Sequence, residues 1–219
     1  MKQFVTFFGL AFSALLPLIN PIGDALVFLG LVGTAPSAIY RTLARKIAIN
    51  TILFMLVIQV IGTAMLRLFG ISLPVMQVSG GLVLATMGWG LLSQDEPQAK
   101  RQQMTPDAPD DVRQLERNAF FPFTFPITAG PGCIVVMITL SAHASTGGIE
   151  SAAAAHAGIL AAVVLLSSAV YICYSHAPAI TARVRPETVH GILRVIAFVL
   201  LSIGVQITWN GISALLRTT

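Results

Sequence analysis

Leu16-Pro17-Leu18-Ile19-Asn20-Pro21-Ile22-Gly23 and Phe121-Pro122-Phe123-Thr124-Phe125-Pro126-Ile127-Thr128 are two versions of one pattern. Pro17 aligns with Pro122, Pro21 with Pro126 and Ile22 with Ile127, each pair 105 residues apart. Both stretches lie in long apolar runs. There, two prolines four apart remove helix hydrogen bonds and clash with the preceding turn, so the pattern predicts a break in each helix. In a bilayer a freed backbone group costs several kcal/mol unless protein or trapped water receives it, so broken helices persist where they face protein or a cavity. Two matched breaks point to one shared site. The second copy continues into Ala129-Gly130-Pro131-Gly132, which lets the backbone turn and approach a neighbour or ligand closely.

Composition decides which solvent these runs see. With 55% apolar and only 10% charged residues, and a mean hydropathy of +0.82, the chain lies outside the range of soluble domains and reads as an integral membrane protein. Its 219 residues hold about six helices of roughly 20 residues, enough for a hydrocarbon core of about 30 Å, with no soluble domain. The net charge of +4 comes from basic residues scattered over connections rather than gathered in a stripe, so it speaks for membrane topology and against nucleic acid. The first apolar segment follows Lys2 but is too long and too proline-broken for a signal peptide. Cys133 and Cys173 lack CxxC spacing and read as buried thiols.

The expected spans are Phe4 to Leu31, Ile47 to Leu66, Leu73 to Leu92, Ala119 to about Ala142, about Ala157 to Tyr174, and about Ile192 to Leu216. Residues 93–118 hold ten of the 22 charged residues and read as a polar linker. The chain thus divides into a first three-helix repeat (1–92), a cytoplasmic linker (93–118) and a second three-helix repeat (119–219). The expected fold is all-α and polytopic, with six transmembrane helices in two inverted repeats and with the first and fourth helices broken. An odd number of spans per repeat makes the second half enter from the opposite side. Connections after spans one, three and five carry nine basic residues: Arg41, Arg45, Lys46, Lys100, Arg101, Arg113, Arg117, Arg183 and Arg185. The other face carries Lys2, Arg67 and Arg217. The positive-inside rule puts the nine in the cytoplasm and both termini outside.

Each polar residue within the spans has a bland reading beside a functional one. Asn20 stands where the first helix opens, flanked by Pro21 and Gly23; its amide either binds a ligand or caps the next half-helix. Thr124 and Thr128 flank the matching break, where a hydroxyl either binds substrate or bonds back to its own helix. Asp24 lies near the start of the second half-helix, where the dipole favours an anion; it either binds a cation or proton or pairs with Arg194, which itself can snorkel to the headgroups. Gln206 and Asn210 share one helix face and either line a cavity or bond between helices. Gly130 and Gly132 supply close backbone approach at the second break. Asn50, Gln59 and Gln77 read as interhelical hydrogen-bonding residues. The four histidines lack ligand spacing, so no metal site or cofactor is expected. HExxH, GxSxG and phosphate-loop signatures are absent, and the chain does not read as an enzyme.

These residues carry a resemblance. Leu15-Leu16-Pro17-Leu18-Ile19-Asn20-Pro21, Phe28-Leu29-Gly30-Leu31, Phe69-Gly70-Ile71-Ser72 with Ser79-Gly80-Gly81, Ala129-Gly130-Pro131-Gly132, and Gly204-Val205-Gln206 with Asn210-Gly211-Ile212 together make the chain similar, over nearly its whole length, to the MarC family. That family comprises bacterial inner-membrane proteins grouped as neutral amino-acid transporters and related to LysE-like exporters. Ala197 stands where similar relatives often have glycine. The resemblance implies six spans, a plasma-membrane location and transport of small neutral amino acids such as glycine or alanine. The expected activity is secondary transport or export by alternating access around a midplane site between the breaks. Export of a metal cation or another metabolite, or a non-transporting membrane role, are the alternatives. The expected partners are a small-molecule substrate and the lipid bilayer, without nucleic acid; a homo-oligomer is left open.

Overall fold

A computed structural model describes residues 1–33, 35–93, 117–145, 148–179 and 186–218. Most of the linker therefore lies outside the described residues, as do the connections holding Arg183 and Arg185. The described residues are helical throughout, with no strand. In chain order the helices are α1 (Lys2–Ile19), α2 (Pro21–Val32), α3 (Ser37–Leu68), α4 (Leu73–Ser93), α5 (Ala119–Thr128, wound as a π-helix), α6 (Pro131–Ala144), α7 (Ile149–Ser175) and α8 (Pro186–Thr218).

The prolines act through their neighbours, and not alike. Pro17 stays inside α1, and the break expected between Pro17 and Gly23 falls at its second proline. The break comes at Asn20, whose backbone is left-handed at φ 39°, ψ 63°. The residue before a proline is driven out of the right-handed helical region, and asparagine is among the few side chains that tolerate the left-handed one. In the second copy the residues before both prolines become extended, Phe121 at φ −118°, ψ 125° and Phe125 at φ −120°, ψ 128°. Next comes the bend, 70° between α5 and α6, at Ala129–Gly130. Both second half-helices begin with a proline, Pro21 in α2 and Pro131 in α6. Its missing N–H is no loss there and its fixed φ suits the first turn. The breaks therefore correspond through Pro21 and Pro131, 110 residues apart, and not in the register of 105 that the PxxxP pattern suggested.

Lys2–Leu29, Ser37–Leu66, Ile149–Ser175 and Ala197–Arg217 are long and apolar enough to cross a membrane, and the bent pair α5–α6 makes a fifth such span. The 21-residue α4 is the helix expected as the third span, and it carries four glycines.

Those glycines bring α4 into contact with its neighbour. A Cβ on Gly81 would come 2.7 Å from the Gly204 carbonyl oxygen, and one on Gly204 would come 2.7 Å from that of Gly81. Gly88 lies against the backbone of Leu201, and Gly211 against that of Pro74 and Val78. The order of these contacts makes α4 and α8 antiparallel, with their backbones touching, as small residues allow in membrane helices. The remaining core is built where α1 packs on α7, and where α3 packs on α5, α6 and α7. Leu15, Ile19, Phe28, Ile47, Met137, Ile159 and Leu166 are buried there.

Candidate functional site

The half-helices α2 and α6 run to opposite ends of α3. The C-terminus of α2 connects through residues 33–36 to the start of α3. Ala142 and Ser145, at the end of α6, line a cavity with Leu66, near the other end of α3. With 12 and 14 residues and about 1.5 Å of rise per residue, α2 and α6 reach about 18 and 21 Å from their starting points. Their N-termini meet between the two ends of the bundle. A Cβ on Gly132 would come 2.9 Å from Leu18 Cδ2, just before the first break, and would overlap the buried Leu84 of α4. The two breaks are thus neighbours, and Leu84 fills the slot beside them.

Asp24 sits in the first turn of α2. Its Oδ2 is buried without a hydrogen-bond partner, and the carboxyl lies within electrostatic reach of the Cys133 thiol in the first turn of α6 and of the Tyr174 hydroxyl. Thr128 Oγ1 donates to the Phe123 carbonyl at 2.8 Å and lies 2.9 Å from Tyr174 Oη. Since Thr128 has spent its one hydrogen on that carbonyl, Tyr174 is the donor to Thr128 and has none left for Asp24. One turn along α2 from Asp24, the Phe28 ring stacks on Tyr174 at 4.5 Å. It also meets Phe123 and Tyr40 edge-on at 5.6 and 5.8 Å. The hydroxyl of Tyr40 donates to the Gly33 carbonyl. A half-buried carboxylate with one buried, unpartnered oxygen thus lies at the start of two half-helices whose dipoles favour negative charge.

Pro21, Gly23, Thr124, Thr128 and Gly132 are buried around this point, and Asn20 and Gly130 half-buried. Asn20 Oδ1 accepts from Gly23 N at 3.2 Å, an N-cap, and Thr124 Oγ1 donates to the Ala119 carbonyl at 2.9 Å. Each of these side chains makes the local bond its bland reading foresaw. No side chain caps α6.

The other expected residues lie elsewhere. Arg194 is exposed on α8 and is not the partner of Asp24 Oδ2, which has none. Gln206 and Asn210 are exposed and bond to each other at 2.9 Å. Gln206 follows Gly204 by two residues, about 200° round the helix, so it projects from the side of α8 opposite the glycine seam. Among the described residues no three His, Cys, Asp or Glu side chains group closely enough to hold a metal ion. Cys133, Tyr174, Phe28 and Leu84 had no assigned role in the sequence reading. The i, i+4 spacing of Asp24 and Phe28 and the place of Cys133 straight after Gly130-Pro131-Gly132 were the available signals.

Comparison with known proteins fits this geometry to a family. The profile described as MarC family integral membrane protein matches residues 5–216. The chain belongs to the MarC family. Among curated MarC relatives, proteins named inner membrane protein MarC from Salmonella typhimurium and Citrobacter koseri are 30% identical over 220 residues and 32% identical over 219. The protein of that name from Escherichia coli is 31% identical over 218 residues. In all three comparisons 96% of each chain is covered. No solved structure matches. As a MarC family member the chain is an integral membrane protein, in keeping with its long apolar helices.

Proposed function

We propose that this protein is a secondary transporter of small neutral amino acids in the bacterial inner membrane, with six spans in two inverted repeats and its substrate site between the two breaks. The observation that carries the reading is the convergence of two half-helix N-termini on a buried, unpartnered carboxylate oxygen, Asp24 Oδ2. A buried carboxylate oxygen without a partner is costly in an apolar medium and is retained where a ligand or coupling ion uses it. The amino group of a zwitterion, or a coupling cation, would meet Asp24. The substrate carboxylate would meet the Gly132 amide in the first turn of α6, where Pro131 has no N–H and Cys133 N donates to the Gly130 carbonyl. Leu84, Leu18 and Phe28 leave little volume, which favours a small side chain. The packing is consistent with inverted repeats. Exchanging the halves turns α1 on α7 into α5 on α3, turns α2 on α7 into α6 on α3, and leaves α4 on α8 and α3 on α7 unchanged; all these contacts exist.

Uptake and efflux of labelled alanine and glycine in proteoliposomes, with and without ion gradients, test this directly. The parent should exchange both substrates, and Asp24→Asn should lose gradient dependence or transport altogether while inserting normally. A substrate at 100 times its Kd should also stabilise the parent by about 2.7 kcal/mol. The close packing around Gly132 favours a second reading, a membrane protein that moves no solute. Absence of both transport and substrate-dependent stabilisation would establish that reading in place of the first.

A further inference from the structure

The seam between α4 and α8 is symmetric. Gly81 meets Gly204, Gly88 meets Ala197 and Leu201, and Gly211 meets Pro74 and Val78. Each of these α4 positions has an α8 counterpart 123 residues later, so the two helices turn matching positions toward each other and matching positions outward. Gln206 and Asn210 therefore correspond to Val83 and Met87, which are exposed as well. Valine and methionine suit hydrocarbon; two carboxamides do not. Gln206 lies near the middle of the span Ala197–Arg217, where an N–H or carbonyl turned to lipid has no water to satisfy it. The bond from Gln206 Nε2 to Asn210 Oδ1 uses one N–H and one oxygen. Whichever way the amides are turned, one carbonyl oxygen and three N–H groups of the pair have no partner among the described residues.

Gln206 also belongs to a repeat. Val195, Ser202 and Trp209 recur every seven residues, and so do Val199, Gln206 and Ser213. The two series form one stripe with alternating steps of four and three, the spacing of a left-handed helix pair. It runs along the side of α8 opposite the glycines that hold α4, and all six residues are exposed except Ser213, which is half-buried. A second copy of this chain is the occupant that the chemistry selects. Insertion fixes the direction of α8 in every copy, so two copies set their α8 helices parallel, and in a parallel heptad seam equal positions face each other. Gln206 then meets Gln206 of the partner subunit. A primary carboxamide is its own complement across a two-fold axis, giving an N–H to the other's Oε1 and receiving the same in return. Asn210 holds one N–H of Nε2, and the second remains for this exchange. Ser202, in the neighbouring layer, is small enough to let the backbones approach.

We propose that this face of α8 is a homodimer interface, on which a second copy packs in parallel and the two Gln206 carboxamides pair across the axis. It does not depend on the transport reading, and its test needs no transport. In liposomes, Ser202→Cys should form a disulfide-linked dimer under copper-phenanthroline, with the unsubstituted protein as the blank for Cys133 and Cys173. Ser79→Cys, the exposed matching position on α4, should not. Energy transfer between donor- and acceptor-labelled copies, followed as lipid is added, reads the association without an oxidant. Gln206→Leu should raise the protein-to-lipid ratio needed for half-association about tenfold, whereas Gln206→Asn, which keeps a carboxamide, should raise it far less and Val83→Leu should match the parent. Gln206 is exposed and bonds to the equally exposed Asn210, so these substitutions leave the core intact. Association unchanged by Gln206→Leu, or Ser79→Cys crosslinking as readily as Ser202→Cys, would overturn the assignment. So would a monomer at every ratio, which would give the carboxamide pair to a solute path or to a different membrane protein.

Discussion

Asn20 does two jobs at once, holding a left-handed backbone and capping α2, and substitutions can separate these from substrate binding. Alanine loses the cap and is strained in the left-handed region, so Asn20→Ala should lower stability by about 2 kcal/mol, read as a lower melting midpoint in detergent. Asn20→Gly keeps the backbone freely and should cost only about a few tenths of a kcal/mol. If its transport also matches the parent, Asn20 caps and does not bind. Loss of transport at near-normal stability would instead give the amide to the substrate. The Thr128 and Tyr174 hydroxyls are buried against each other. Either Thr128→Val or Tyr174→Phe alone spoils their pairing, and Thr128→Val also leaves the Tyr174 hydroxyl buried without its acceptor. The double variant should therefore be more stable than the sum of the single losses by about 1 kcal/mol, a coupling that a double-mutant cycle of unfolding free energies measures directly.

Among the elements, α4 and α8 are joined by backbone contact rather than by interlocking side chains. A methyl group on Gly81 or Gly204 would strike main-chain atoms of the facing helix, which cannot rotate away as a side chain can. Gly81→Ala and Gly204→Ala should each lower stability by about 1–3 kcal/mol. Gly90 has nothing within 4 Å of its Cβ position, so Gly90→Ala should be neutral or stabilising by up to about 1 kcal/mol. Melting midpoints of the three variants check the seam; similar midpoints throughout would mean that the two helices do not meet face to face along these glycines. α4 also lies on the site through Gly80, which faces Val135, and through Leu84, which faces Gly132. Movement of the α4–α8 pair against α6 would therefore uncover the breaks.

For the whole molecule, the nine-to-three division of basic residues between the two faces predicts orientation. A phosphatase fused after Thr219 should be active, because the positive-inside rule puts the C-terminus outside, whereas one inserted in residues 93–118 should be silent, with a cytoplasmic fluorescent reporter giving the opposite pattern. A silent C-terminal phosphatase fusion with a fluorescent C-terminal reporter, the linker still reporting the cytoplasm, would refute both the orientation and the three-plus-three span count. Such topology is carried by charges at helix ends and is legible without a fold. The third span, read as Leu73 to Leu92, is the helix Leu73–Ser93, and the glycines that mark it in the sequence are the ones that let it pack on α8.

By itself the sequence determined the membrane as solvent, the long helices, and the interruption of two of them near residues 17–23 and 121–132. Those properties follow from composition and from steric restriction of the residue before a proline, both of which act over a few residues. Only the tertiary structure decided that the breaks correspond through Pro21 and Pro131, and that Asp24 comes together with Cys133 and Tyr174 while Gln206 and Asn210 turn outward. The reason is rotational. Which face of a helix turns inward is set by the glycine seams and buried side chains of its neighbours, and residues far apart in the chain fix that angle together.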